Sequence, residues 1–153
     1  GLIFNWEHNR AMGGNQYGGF VWAHKLLRIE NLIPSFDSET KTPELAANTK
    51  CNLQAWLNKY KPDAILTAAA ETVVFLRELG YRIPEDVAVA GTSPYDMSVD
   101  AGIDQCPKAI GWIAAEMLIK QIGFNERGEP ADPCRFLVES RWRNGTSLPQ
   151  KRS

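Results

Sequence analysis

Side chains able to do chemistry are sparse in this sequence. His8 and His24 are the only histidines, and their separation does not make a metal pair. Ser93 follows Gly91-Thr92 but lacks the Gly-x-Ser-x-Gly elbow that strains and exposes a hydrolase nucleophile. Gly13-Gly14 and Gly18-Gly19 do not form a Gly-x-Gly-x-x-Gly phosphate loop between a strand and a helix. Asp96, Asp100 and Asp104 gather acids in one stretch without the alternating ligand pattern of a calcium loop, which leaves a solvated loop as the simpler reading. The spacings of Cys51, Cys106 and Cys134 fit neither a CxxC metal site nor an even disulfide framework, so free thiols in a reducing cytoplasm are expected. No catalytic residue, metal site or cofactor is expected, and the chain should act by binding.

Binding residues can be placed because open α/β sheets hold ligands outside the carboxyl ends of their strands, where loops emerge and helices begin. The apolar runs that read as strands put Asn5 and Trp6, Thr67 to Ala70 including Ala69, Gly91 to Tyr95, and Asp104-Gln105 at such ends. Trp6 and Tyr95 could stack on a sugar face or a flat apolar ligand, while Gln16, Ser93 and Gln105 supply hydrogen bonds; ordinary packing is the alternative for each aromatic. Tyr17, beside Gln16, completes the candidate set with Asn5 and Ala69. His8, in an expected polar loop, could also touch ligand, whereas His24 falls on a helix as a surface or core residue.

The elements that must position these residues alternate strand and helix, which favours an α/β layer architecture. Gly1 to Phe4 reads as a strand, and Asn15 to Glu30 as a helix with Phe20, Ala23, Leu26 and Leu27 on its apolar face. Gly18 and Gly19 within it mark either close helix-sheet packing or a late start. Leu32 to Phe36 is a short strand. Thr42 then caps a helix that opens with Pro43 and carries Leu45, Leu53, Trp56, Leu57 and Tyr60 before Pro62 ends it. Ala64 to Leu66 is a strand, Glu71 to Leu79 a helix closed by Gly80, and Val87 to Ala90 a strand with no polar residue on either face, as a covered parallel strand requires. A helix beginning near Pro107 and ending before Gly123 presents Ile110, Ile113, Ala114, Met117 and Leu118 on one face. A polar loop (125–133), a last strand (Arg135 to Glu139), a turn at Asn144-Gly145 and a frayed end (150–153) follow.

The run Arg82-Ile83-Pro84-Glu85-Asp86-Val87-Ala88-Val89-Ala90-Gly91 resembles the helix-to-strand passage in the C-terminal half of LacI/GalR-type transcriptional regulators, whose sensor has the periplasmic sugar-binding protein fold. Gly102-Ile103-Asp104-Gln105-Cys106-Pro107 and the following helix are similar to that family's short strand, Gln-x-Pro turn and next long helix. The resemblance implies a parallel-sheet, periplasmic-binding-protein-like α/β fold: residues 1–62 as part of an N-terminal lobe and 63–149 as a near-complete C-terminal lobe, with an effector held between lobes. It further implies a homodimer built on the helix bearing Val73, Val74 and Leu76 and on the loop bearing Met97 and Val99. DNA would be reached only through a helix-turn-helix module absent from this chain.

The resemblance weakens where a sugar would sit. The family's acid after the strand glycine falls at Ser93, its arginine before the Gly-Phe pair falls at Gln16, and its Asn-Asp falls in Ala69-Ala70-Glu71. Removing a guanidinium and carboxylates takes away the groups best suited to gripping vicinal hydroxyls or an anion. The effector is therefore expected to differ from a simple pentose or hexose, or to be absent from a constitutive dimer.

Composition bounds these readings. A chain of 153 residues with net charge -1 carries no Lys/Arg stripe able to neutralise several phosphates, so this stretch should not bind DNA alone. No apolar run has the length of a membrane span, and the abrupt apolar start reads as a fragment of a cytoplasmic protein. Alternatives are a sugar solute-binding protein of a transporter and a sugar-processing α/β enzyme.

Overall fold

Parallel strands buried from both sides need short apolar segments separated by helices, and the chain supplies them in that order. The computed structural model describes residues 1–11, 13–30, 32–128 and 134–150. It runs β1 (Leu2–Phe4), α1 (Trp6–Ala11), α2 (Asn15–Leu26), β2 (Phe36–Asp37), α3 (Pro43–Tyr60), β3 (Ala64–Thr67), α4 (Glu71–Glu78), β4 (Ala88–Gly91), β5 (Gly102–Asp104), α5 (Pro107–Gly123) and β6 (Arg141–Arg143). A 3-10 turn at Pro94–Asp96 lies between β4 and β5.

These strands form one sheet of order β2-β1-β3-β4-β5-β6, parallel throughout except for the β5–β6 pair. The expected α/β class with a parallel sheet is what the chain forms. The boundary expected at residue 62 does not separate two sheets, however. Leu2 and Ile3 of β1 pair directly with Leu66 and Thr67 of β3, and the Gly1 ammonium donates to the Ala64 carbonyl at 2.7 Å. Residues 1–62 therefore supply the first two strands of the same sheet that residues 63–149 complete.

Alternation along the strands sorts their side chains. Ile3, Ile65 and Val89 point to one face, where Leu53, Trp56 and Leu57 of α3 and Val73 and Leu76 of α4 cover them with Phe36 and Val87 in a single core. Thr42 caps α3 as expected, its Oγ1 accepting the Leu45 N–H at 3.2 Å, and Lys61 ends the helix in the left-handed region. Gly80 likewise turns the chain after α4 with φ of 87°.

The other face is less covered. Alternation places Leu2, Leu66 and Ala90 there, and an apolar groove lies between Phe20 of α2 and Trp142 of β6. The face of α2 turned inward carries Phe20, Val21 and His24, all half-buried, whereas the expected stripe residues Ala23, Leu26 and Leu27 are exposed. The helix is rotated toward Tyr17 and Phe20: the Tyr17 ring sits against Phe4 at the carboxyl end of β1, and Phe20 lines the groove beside Gly1 and Ala64. In α5 only Ile113 and Met117 of the expected stripe are half-buried; Ile110, Ala114 and Leu118 are exposed.

Other expectations are corrected at the ends of elements. His8 lies in α1, not in a loop, because the Asn5 side chain caps that helix by accepting the His8 N–H at 2.9 Å. The strand expected at Leu32 to Phe36 is reduced to Phe36–Asp37. The last strand is Arg141–Arg143 instead of Arg135 to Glu139; it pairs Gly102 with Arg143 and Asp104 with Arg141, and Phe136 and Leu137 stay exposed. Gly145 and Leu148 close a bridge around Thr146-Ser147, so the turn sits one to three residues beyond Asn144-Gly145. Residues 129–133 of the expected polar loop and 151–153 of the expected frayed end lie outside the described residues.

Candidate functional site

The strand order creates a switch point. From β1 the chain crosses to β2 on one side, then returns past β1 to β3 and continues outward to β4 and β5. With right-handed crossovers, the reversal of direction puts α2 on the face opposite α3 and α4, and a crevice is expected outside the carboxyl ends of β1 and β3. Asn5 and Trp6 leave the end of β1, and Ala68-Ala69-Ala70 leave the end of β3.

An aromatic wall stands on the β1 side. Buried Phe4 supports Trp6 at 5.5 Å and Tyr17 at 5.8 Å between ring centroids, and Trp6 meets Tyr17 edge-on at 5.8 Å. Trp6 nevertheless stays 49% exposed and Tyr17 37%, so the wall has a free face. Asn9, almost wholly buried, fixes it from below: its Oδ1 accepts the backbone N–H of Gln16 at 3.1 Å and of Tyr17 at 3.3 Å, satisfying the open N-terminus of α2 that Gly14 leaves uncapped. Sequence reasoning missed Asn9. Its only signal was a capping residue type ahead of a helix, separated from it by a glycine turn.

Several residues expected to touch ligand are committed elsewhere. Asn5 donates from Nδ2 to the Ser38 carbonyl at 2.8 Å while capping α1, so both ends of its amide tie β1 to neighbouring backbone. Gln105 donates to the Thr92 carbonyl at 3.0 Å, bridging the ends of β4 and β5. Ser93 donates to Asp96. Tyr95 donates to Asp104 at 3.1 Å, which raises its phenol pKa above the ordinary value, and the Arg143 guanidinium lies 5.7 Å from its ring centre. Ala69 is buried beneath the loop, its N–H held by the Thr67 hydroxyl at 3.0 Å. Gln16 retains a buried Oε1 with no hydrogen-bond partner among the described residues.

Carboxylates rim the same edge. Glu71, at the first turn of α4, accepts from buried Ser38 at 2.6 Å and from Thr40 at 3.3 Å, pinning the loop after β2 across the end of β1. Asp37 accepts the Trp6 N–H at 2.8 Å. Glu7 pairs with Lys41, whose hydrogen bond holds the Glu7 carboxyl below its usual range. Thus Asp96, three residues beyond Ser93, returns a carboxylate to the region where the sequence pattern lost one. No group of three or more potential metal ligands occurs among the described residues.

The interface residues divide. Val73 and Leu76 are fully buried in the core between α4 and the sheet, so their expected place on a partner surface is corrected: the two positions lie on the inward stripe of α4. Val74 is exposed on the other side of that helix. Met97 and Val99 are half-buried and line a concavity with Arg77, Ile83, Ser98 and Asp100.

This architecture has known relatives. Residues 9–148 match the periplasmic binding protein-like domain. The chain belongs to that family. Its fold is similar to that of a putative transcriptional regulator LacI from Bacillus cereus subsp. cytotoxis NVH 391-98, with a TM-score of 0.59 and 15% identity over 99% of this chain and 54% of that one. The transcription regulator CcpA of Lactococcus lactis is similar with a TM-score of 0.55 and 13% identity, over 97% of this chain and 54% of its own. The periplasmic binding protein-like chain thus spans about half the length of the solved structures it matches. No curated protein matches the sequence significantly. Among the described residues, no helix is long and apolar enough to cross a membrane.

Proposed function

We propose that this chain is one lobe of the effector-binding sensor of a LacI/GalR-type transcriptional regulator acting in the cytoplasm. The observation that carries the reading is the exposed Trp6–Tyr17 wall at the β1/β3 switch point of a periplasmic binding protein-like sheet. Similarity in fold to two transcriptional regulators supports the regulator class. Because the strands of residues 1–62 and 63–149 share one sheet, the second wall of the crevice would come from a separate lobe.

The effector is a carbohydrate or related small molecule that places a flat, partly apolar face on Trp6 and Tyr17. Its hydroxyls or amines would meet the carboxylates of Asp96 and Asp104. Ligand shifts the relative orientation of the lobes only by the difference in its affinity for the two arrangements. A dimer formed through the exposed side of α4, around Val74, and the Met97–Val99 loop passes that shift to a helix-turn-helix module that binds DNA.

Tryptophan fluorescence and thermal shift with a panel of neutral, amino and phosphorylated sugars test the reading. The expected result is stabilisation and altered emission by at least one member, with loss of both in Trp6→Ala. No response from the chain or from a longer gene product containing it would overturn a sugar-type sensor. A helix-turn-helix encoded upstream of residue 1 is expected; a secretion signal there would instead identify a transport protein.

A further inference from the structure

Strand register sets Asp37 beside the aromatic wall. Ile3 and Phe36, paired across β1 and β2, both belong to the core under α3 and α4, so the next pair, Phe4 and Asp37, points to the opposite face. Phe4 is the ring against which Trp6 and Tyr17 rest, and paired strands lie about 4.8 Å apart, which places the Asp37 side chain next to the ring cluster. The carboxylate is also tied to the wall directly, its Oδ1 accepting the Trp6 backbone N–H at 2.8 Å. Asp37 is exposed and forms no ion pair among the described residues, so its charge has no basic side chain as partner.

The sign of this corner follows from its parts. An indole or phenol ring presents a negative π face, and a carboxylate beside it adds a full negative charge, so the two together attract a cation and repel an anion. The chain does not fill the position itself. Lys41, which follows β2, pairs with Glu7, and Arg10 also lies within electrostatic reach of Glu7. The cation–ring contacts among the described residues are those of Lys59 with Tyr60 and Arg143 with Tyr95, which leaves the exposed faces of Trp6 and Tyr17 untaken. A lone carboxylate would be a solvated surface group, and an aromatic pair by itself would accept any flat apolar face. Their juxtaposition selects a ligand with a cationic group. Resting on the sensor reading, we infer that the Trp6–Tyr17 wall takes a ligand bearing a protonated amine, as in an amino sugar or an aliphatic diamine, with the ammonium over the Trp6 ring and bonded to Asp37, and that it rejects phosphorylated sugars.

NMR titration of the tryptophan indole N–H signals, with calorimetry for affinity, compares glucosamine, glucose, glucose phosphate and putrescine slightly below neutral pH, where the amines are protonated. Glucosamine is expected to move the Trp6 signal, to bind at least about tenfold more tightly than glucose, and to weaken as ionic strength rises, while glucose phosphate gives no response. A matching response to putrescine would assign recognition to the ammonium alone, and a response confined to glucosamine would assign it to an amine carried on a sugar ring. Asp37→Asn keeps an acceptor for the Trp6 N–H while removing the charge. It should lower glucosamine affinity at least about fivefold and leave the thermal midpoint and the glucose affinity unchanged, a split that a merely structural role of Asp37 would not produce. Glucose or glucose phosphate binding at Trp6 as tightly as glucosamine, or a glucosamine affinity unchanged in folded Asp37→Asn, would overturn the inference and leave the sensor reading standing. Silence toward every probe, in this chain and in a longer gene product containing it, would overturn both.

Discussion

Asp100 accepts the backbone N–H of Ser147 at 2.8 Å, joining positions 47 residues apart in the chain. The same carboxylate accepts the Thr146 N–H at 2.8 Å and its hydroxyl at 2.9 Å. Ser147 answers through its Oγ, which accepts the Ala101 N–H at 3.1 Å, and through its carbonyl, which accepts the Val89 N–H at 2.7 Å. Gly145 lies so close that a Cβ there would stand 2.5 Å from the Asp100 carbonyl carbon. This clamp holds the segment after β6 against β4 and β5.

Hydrogen bonds from Ser147 and Thr146 keep the Asp100 carboxyl well below the usual carboxylate range. A depressed folded value means that the stabilisation is present above the unfolded carboxylate pKa, about 3.9, and is lost as pH falls below it. Thermal unfolding of the wild type should therefore drop more steeply below about pH 4 than that of Asp100→Asn, which should already melt lower at neutral pH. Asp86, lowered to about 2 chiefly by the Arg82 side chain, should lose its contribution between about pH 4 and pH 2, and Asp86→Asn should flatten that part of the profile. Equal slopes in wild type and variants would refute both assignments.

Leu76→Ala should cost about 2–5 kcal/mol in urea unfolding, because the side chain is fully enclosed in the α3–α4 core. Val74→Ala, one helical face away and exposed, should stay within about 0.5 kcal/mol. A large stability effect at Val74 or a negligible one at Leu76 would reverse the assignment of the two faces of α4.

Asn9→Ala should destabilise the chain by about 1–3 kcal/mol, since it leaves two N–H groups at the start of α2 without their buried acceptor. Asn9→Asp keeps an acceptor and should recover part of the loss. Chemical denaturation compares the three proteins, and tryptophan emission should shift in Asn9→Ala because Tyr17 supports Trp6.

Two glycines should respond oppositely to alanine. Gly102 has φ of 145°, and a Cβ would stand 2.0 Å from the Gly91 carbonyl oxygen, a backbone atom that cannot move aside. Gly102→Ala should cost more than about 2 kcal/mol and depress soluble yield. Gly18 lies inside α2 with nothing within 4 Å of its Cβ position, so Gly18→Ala should gain about 0.5–1 kcal/mol through helix propensity. Differential scanning calorimetry distinguishes the two signs. The open space at Gly18 and Gly19 also shows that this pair does not mark close helix-sheet packing.

Where a local signal and a packing requirement coincide, the sequence alone was sufficient. Thr42-Pro43 announced α3, Pro107 announced α5, and the unbroken apolar run Val87 to Ala90 announced a covered parallel strand, because caps, fixed φ values and burial on both faces act over a few residues. The family resemblance of Arg82 to Gly91 rests on that same locality. So does the placing of Trp6 and Tyr95 at strand ends.

Tertiary structure decided what depends on partners distant in sequence. Pairing of Leu2 with Leu66 united two expected lobes in one sheet, a choice made by hydrogen bonds between strands more than sixty residues apart. Burial of Val73 and Leu76 with exposure of Val74 followed from which side of α4 met Ile65 and Val89, a rotation that a helix with apolar residues on more than one stripe does not encode. Asn5 and Gln105 were spent on Ser38 and Thr92 because their donors came within reach of carbonyls that only the folded chain brings near. Residue types and short-range geometry thus determined the elements and the edge where a ligand would lie. The long-range contacts determined which side chains on that edge remain free to meet one.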